Sequence, residues 1–294
     1  GFVFGKYLSD KPQAEVKPAV GVYPKPSPAS PGTVFQDCPD CPEMVVVPPG
    51  QFMMGSTDAE GDWYLKQGGK QEYLDWEKPR HRVSISQSFA VGKTEVTVGQ
   101  YRKFATATSR PDGDGCYVYK KIDGKWQWKN QADRNWRNPG FPQTDSHPVV
   151  CVSWEDAAAY VKWLSGHTGE AYRLLTEAEW AYAARGGTTT MRYWGHDWDN
   201  EAGCTYANVA NKEHWSYGFD CKDGHEFTSP VGTYKANAFG LDDTLGNVWE
   251  WVQDCWNDSY TGAPADGSAW TTGDCSHRVL RGGSWVNLPR YLRS

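Results

Sequence analysis

No stretch of this sequence approaches the ~18 consecutive apolar residues that a membrane-crossing helix needs, so no helical span is expected. It has no basic block either: 30 Lys and Arg are outweighed by 36 Asp and Glu, for a net charge of −6. A nucleic-acid partner needs a concentrated positive face, so none is expected. No internal repeat is visible, and beyond residue 186 little periodicity of any kind remains. The chain does not start with Met, and the opening Gly1-Phe2-Val3-Phe4-Gly5 is apolar but very short. Such a stub is what a cleaved signal peptide, a lost membrane anchor or a tag scar leaves behind.

What is present is aromatic, glycine-rich and cysteine-bearing. The 294 residues suffice for one large domain with a real core, or for two small ones. Sixteen Trp, 16 Tyr and 31 Gly suggest a loop-rich fold whose large rings fill gaps between irregular segments. Burial is the ordinary fate of such rings, ahead of exposed stacking on a sugar or other ligand. Eight cysteines, at 38, 41, 116, 151, 204, 221, 255 and 275, imply disulfides and an oxidising compartment, periplasmic or extracellular. Eight cysteines allow 105 pairings. Joining neighbours in sequence order gives Cys38–Cys41, Cys116–Cys151, Cys204–Cys221 and Cys255–Cys275. The last would contribute roughly 3 kcal/mol by closing its loop. Cys38-Pro-Asp-Cys41 also has zinc-ligand spacing, but neither a second such pair nor a matching His pair is present downstream.

Residues 9–34 are rich in Pro, Ser, Ala and Lys and read as an extended linker. The expected organisation is an N-terminal arm and linker over 1–36 and one domain over 37–294. The arm is either a docking element for a protein partner or membrane complex, or a plain spacer. Within the domain, Met44–Val47 reads as a buried strand. Pro48-Pro49-Gly50 turns it, Gln51–Met54 reads as the return strand, and His81–Ile85 alternates like a half-buried strand. Three capping boxes predict helices: Thr97 with Gln100, Ser153 with Asp156, and Thr176 with Glu179, the last helix ended by Gly186. In each box the side chains satisfy amides that a first helical turn leaves free.

Further motifs carry a resemblance. Glu43–Gly50 with Phe52-Met53-Met54-Gly55 looks like an opening hairpin, and His147-Pro148-Val149-Val150 precedes Val152-Ser153-Trp154. Tyr172–Trp180 comes next, then Phe239-Gly240-Leu241, Gly246-Asn247-Val248-Trp249-Glu250-Trp251-Val252 and Arg278–Trp285. In this order they resemble the formylglycine-generating-enzyme, or sulfatase-modifying-factor, superfamily. The resemblance implies an α+β domain, irregular and loop-rich, with low regular secondary structure and a relation to C-type lectin-like folds. That superfamily holds copper-dependent oxidases, iron sulfoxide synthases, a periplasmic pyoverdine-maturation enzyme and non-catalytic ligand-display proteins. The resemblance therefore implies fold more firmly than function.

The resemblance also locates the chemistry. Two cysteines after the Gly-Gly-Ser motif hold Cu(I) in the formylglycine enzymes, because Cu(I) requires soft thiolates. The matching positions here are Asn287 and Leu292, so that reaction is not expected. No H-x-x-x-H-x-E run offers the iron site of the sulfoxide synthases. By the same resemblance, Trp251, Ser284 and Tyr291 line a substrate cleft, with Arg281, Asn287 and Arg290 nearby in sequence. Such a cleft suits a peptide or an aromatic metabolite. Two structural calcium sites are implied. One uses the side chains of Asn208 and Asp223 and the carbonyls of Val209 and His225; the other uses Asn247 and Glu250 with the carbonyls of Leu245 and Val248. Related chains continue past Arg-Ser to a closing Gly-Phe-Arg strand, so a C-terminal strand is expected to be missing here. Two functions are compatible with all this. One is a calcium-stabilised binding or accessory subunit tethered to a membrane or protein complex. The other is a periplasmic oxidoreductase acting on a peptide or aromatic metabolite in the manner of pyoverdine maturation, with copper or iron as its metal.

Overall fold

A computed structural model describes residues 1–8, 30–196, 201–215 and 217–294. Most of the expected Pro-rich linker, residues 9–29, lies outside them. In chain order the strands are β1 (Phe4–Tyr7), β2 (Val34–Phe35), β3 (Met44–Val47), β4 (Gly50–Met54), β5 (His81–Ile85), β6 (Phe89–Gly92), β7 (Cys116–Ile122), β8 (Lys125–Gln131), β9 (Arg173–Leu174), β10 (Glu250–Trp256) and β11 (Asp274–Arg281). The helices are α1 (Asp58–Lys66), α2 (Gln71–Asp75), α3 (Val98–Thr108), α4 (Trp154–Thr168), α5 (Glu177–Arg185) and α6 (Gly203–Tyr206).

An antiparallel sheet of order β2-β3-β6-β1-β9 forms the centre, and three two-stranded ladders surround it: β4-β5, β7-β8 and β10-β11. The unbroken apolar run of β3 has a simple cause: both faces of this sheet are covered. Val3, Val45, Val47, Phe89 and Val91 point into one core with Val83, Trp180, Leu241 and Val252. Phe2, Phe4, Met44 and Ala90 point into the other, against Tyr101, Phe104, Trp136 and Tyr160 from the side of α3 and α4. Neighbouring residues alternate between the two cores because strand side chains have a period of two. Sixteen tryptophans thus serve packing in good part; Trp136 and Trp180 are fully buried.

The first residues depart from the expected arm. Phe2, Val3 and Phe4 are buried, and β1 lies between β6 and β9, with Gly5 opposite Val91 on one side and Arg173 on the other. Three apolar side chains and ladder hydrogen bonds on both edges bring this segment into the body, so the folded unit includes residues 1–8 and β2 as well as the residues after 36. Lys6 is drawn in with it, its Nζ 2.5 Å from Asp37 and 3.5 Å from Glu170.

A second correction concerns the opening hairpin. Both of its strands form, but they do not pair with each other: β3 joins β2 and β6, while β4 pairs with β5. Pro48 and Pro49 have no N–H with which to close a tight turn, so the chain passes from one sheet to the next instead. The three predicted capping boxes are all present, with Thr97, Ser153 and Thr176 each bonded to the expected backbone amide. Gly186, at φ 56°, ends α5 as expected, because the left-handed cap favours glycine. All four disulfides join the cysteines in sequence order.

Candidate ligand cleft and cation sites

A cleft of about 610 Å³ opens between α1, α2, the β10-β11 ladder and the last residues of the chain. Its walls are aromatic. Trp76 meets Trp256 edge to face at 4.6 Å between centroids, and Tyr73 packs on Trp76 at 4.5 Å. Trp249, Trp270, Tyr260 and the Tyr64–Tyr291 pair complete the lining, with Trp128 of β8 at the mouth. Trp128 is 48% exposed, an uncommon position for indole unless something covers it.

The polar groups of the cleft are ordered among themselves. Glu77 takes two charge-assisted hydrogen bonds from Arg293, of 2.7 and 2.5 Å. The Ser56 hydroxyl also donates to Glu77. Deeper in, the Tyr260 hydroxyl donates to Glu177 at 2.8 Å, and Arg281 lies 3.7 Å from the same carboxylate. Burial, reinforced by the Glu177 charge, pushes the Tyr260 hydroxyl pKa well up, so it stays a donor at neutral pH. The Arg281 Nε is buried without a partner. Fixed donors within ring-lined walls are the makings of a site for a planar aromatic group with a polar edge.

Of the six cleft residues expected from sequence, Arg281, Asn287 and Tyr291 line this cavity. The other three do not. Trp251 donates its indole N–H to the Val152 carbonyl and packs in the core beside α4. Ser284 is buried and donates to the Asn287 Oδ1 at 2.7 Å, which orients that amide. Arg290 stacks over Tyr291 at 4.8 Å and donates to the Gln67 carbonyl. Sequence reasoning missed Tyr73, Trp76, Glu77, Trp249 and Trp256. Trp249 could have been found, since it lies inside the Gly246–Val252 motif; no local signal marks Tyr73–Glu77. At the two positions where the formylglycine enzymes carry copper-binding cysteines, Asn287 offers an amide, and Leu292 is fully buried among apolar side chains. Every cysteine is in a disulfide, so no thiolate remains to serve as a soft ligand.

Several of the residues expected to bind calcium lie in two adjoining places. Asn208 is fully buried; its Nδ2 reaches the Phe227 carbonyl and the Asn247 Oδ1, while its own Oδ1 has no partner. Asp223 accepts the amides of Val209 and His225, yet burial still raises its pKa. In the second place, Glu250 accepts the Trp180 indole N–H through one oxygen and leaves the other buried and unpaired. Two residues not anticipated join it. Glu95 and Asp243 are each almost wholly buried, each with one carboxylate oxygen unpaired. Burial raises Asp243 to about 7 and Glu250 to about 8, and repulsion from neighbouring carboxylates adds to it; Glu95 moves in the same direction for the same reasons. Among the described residues no three Asp, Glu, His or Cys side chains form a cage by themselves. The expected sites would not require one, since amides and backbone carbonyls supply half or more of their ligands. Orphaned, buried, electron-rich oxygens in loops held by two non-glycine residues at positive φ, Asp243 and Asn247, fit a hard cation.

Known proteins resemble this chain along most of its length. The sequence pattern of the sulfatase-modifying factor enzyme 1-like domain matches residues 30–294. The formylglycine-generating enzyme of Streptomyces coelicolor is 34% identical over 271 residues, covering 82% of this chain and 78% of that protein. A protein of Bos taurus described as inactive C-alpha-formylglycine-generating enzyme 2 is 29% identical, covering 83% of this chain and 76% of that one. Among solved structures, PvdO from Pseudomonas aeruginosa superposes with a TM-score of 0.72 at 38% identity, covering 90% of both chains.

Proposed function

The chain belongs to the sulfatase-modifying factor enzyme 1-like family, and from that premise we propose that it binds an aromatic group, carried by a peptide or small molecule, in its ring-lined cleft. One observation carries the reading: indole and phenol rings from five separated segments converge on a single cavity whose carboxylates are already paired. Rings that served packing alone would close on one another rather than leave about 610 Å³ between them.

The fate of the bound ligand divides two readings. As a binding or accessory subunit, the domain would present its ligand without chemistry, in keeping with Asn287 and Leu292 at the cysteine positions. A partner contact through residues 1–36 would then have to use residues beyond β1, since Phe2–Phe4 are buried. As a periplasmic oxidoreductase of the pyoverdine-maturation kind, it would act on the bound aromatic; copper or iron would supply the redox chemistry, but among the described residues the cleft lining offers neither a free thiolate nor a histidine to hold either metal. The likeness to PvdO, at 38% identity over 90% of both chains, favours this second reading. In either, calcium would hold the loops around Asn208 and Asn247, and the four disulfides support an oxidising, periplasmic or extracellular location.

The test is titration with tyrosyl peptides and catechol, read by tryptophan fluorescence. Saturable quenching is expected, weakened roughly three- to tenfold in Trp76→Ala and Trp256→Ala at unchanged Tm. No saturable change with any aromatic probe would sink the proposal. Oxygen uptake on adding copper or iron to the loaded protein would then select the oxidoreductase reading, and its absence the binding one.

A further inference from the structure

A second cavity, of about 340 Å³, lies beside the aromatic cleft and shares one residue with it, Arg185. Its lining comes from Gln51–Met53 of β4, from Arg80 and Arg82, from Tyr182 and Arg185 of α5, and from the loop after Gly186. Three of these residues carry guanidinium groups, and none carries a carboxylate. That composition is unusual on a molecule whose net charge is −6.

The three arginines are not neutralised from within. Among the described residues, neither Arg80 nor Arg82 makes an ion pair or a side-chain hydrogen bond, although most arginines here do so. Arg185 is 5% exposed and its hydrogen bonds go to backbone oxygens, those of Thr190 and Ser294; its Nε is buried with no partner. Burial lowers its pKa to about 10; the Glu60 charge opposes this, and the positive charges of Arg281 and Arg80, each acting less strongly than Glu60, add to the lowering. A buried cation with no carboxylate in ion-pair contact is costly, and like charges nearby add to that cost. The Tyr182 hydroxyl and the exposed Gln51 amide and Thr189 hydroxyl add neutral groups able to donate. The lining is therefore rich in donors, positively charged and concave.

We propose that this cavity is a binding site for an anionic group, a carboxylate or a phosphate, borne by a molecule larger than a simple ion. Guanidinium forks match both anions, since each presents two oxygens at the spacing of the paired N–H groups. The size is argued from the volume, since a water molecule takes only about 30 Å³ of liquid. Arg80 and Arg82 do not line the aromatic cleft, so substituting them tests this site alone.

The test is isothermal titration calorimetry of the whole chain at low ionic strength, with inorganic phosphate and succinate as separate probes. The comparison protein is R80Q/R82Q, whose two substitutions are exposed and leave Arg185 in place. Saturable binding of at least one probe is expected. It should weaken with added KCl and fall at least ~10-fold in R80Q/R82Q, while tyrosyl-peptide quenching stays unchanged. Preference for phosphate would assign the phosphate chemistry, and preference for succinate the carboxylate. No saturable heat from either anion, or equal affinity in R80Q/R82Q, would overturn the proposal.

Discussion

The carboxylate of Asp254 accepts the backbone amides of Glu177 and Trp270, at 2.8 and 2.7 Å, and joins the start of α5 to the loop before β11. Burial outweighs those two bonds and raises its pKa from 3.8 to about 7. In the unfolded chain the group loses its proton near pH 4, whereas the folded protein keeps it to about pH 7. Between those values the native state holds the extra proton, so stability from this group falls as pH rises through the window. Asp254→Asn should reduce the fall in Tm between pH 5 and pH 8, while costing about 1–3 kcal/mol throughout for the lost acceptor. Thermal denaturation of both proteins across that range checks it; parallel profiles would contradict the assignment. At this scale the sequence was only partly legible. Asn287 and Tyr291 could be placed in the cleft by motif, but Trp249 and Trp251, two residues apart, could not be told apart. Trp249 lies just before β10, so strand alternation does not relate it to Trp251, and only the tertiary fold decides which ring meets the cleft.

Among the elements, the helix caps are where local chemistry and global packing meet most closely. Thr176 bonds the Glu179 amide, and its hydroxyl also donates to the Gly267 carbonyl, while Glu179 returns to the Thr176 amide and grips Arg173 twice at 2.6 Å. Ser153 makes the same box with Asp156, but on the surface. Thr176→Ala should therefore cost about 2 kcal/mol and Ser153→Ala about 1 kcal/mol, as measured by denaturant unfolding. Equal losses would show that the tie to Gly267 adds nothing. Boxes of this kind are legible because cap, amide and returning side chain all fall within four residues. A fourth, Thr57 with Glu60, opens α1 by the same signal, and Asp123-Gly124, both at positive φ, turns the β7-β8 hairpin with a pair typical of such turns. Both signals are local and went unused in the sequence reading. The β10-β11 ladder is another matter, for two register shifts break its alternation and leave no periodic pattern to read. The mistaken pairing of β3 with β4 has a related cause: both strands were legible, but their partners β6 and β5 lie far along the chain, as Val45 opposite Val91 and Gln51 opposite Ser84 show.

For the molecule as a whole, the orphaned oxygens of Asn208, Glu95, Asp243 and Glu250 predict a dependence on divalent cations. Calcium at a hundred times its Kd would add about 2.7 kcal/mol. In a domain of this size that is a rise of several degrees in Tm, and EGTA should remove it. Identical melting in calcium and in EGTA would leave those oxygens without an ion and count against both sites. Of the residues expected to bind calcium, half lie in or beside one short motif, Leu245–Glu250, whereas no signal marks Glu95, far from it in sequence. The central place of β1 bears on how the chain reaches this state. Its residues are made before both their partners, and Gly5 must meet Val91 on one side and Arg173 on the other. The sheet cannot close until synthesis has passed Arg173, and in the interval Phe2, Val3 and Phe4 have no shelter from water. Such long-range closure slows folding and prolongs exposure of sticky surface. The strand made before its partners is thus among the last to be locked, and Phe2–Phe4 is where a chaperone's protection is most needed.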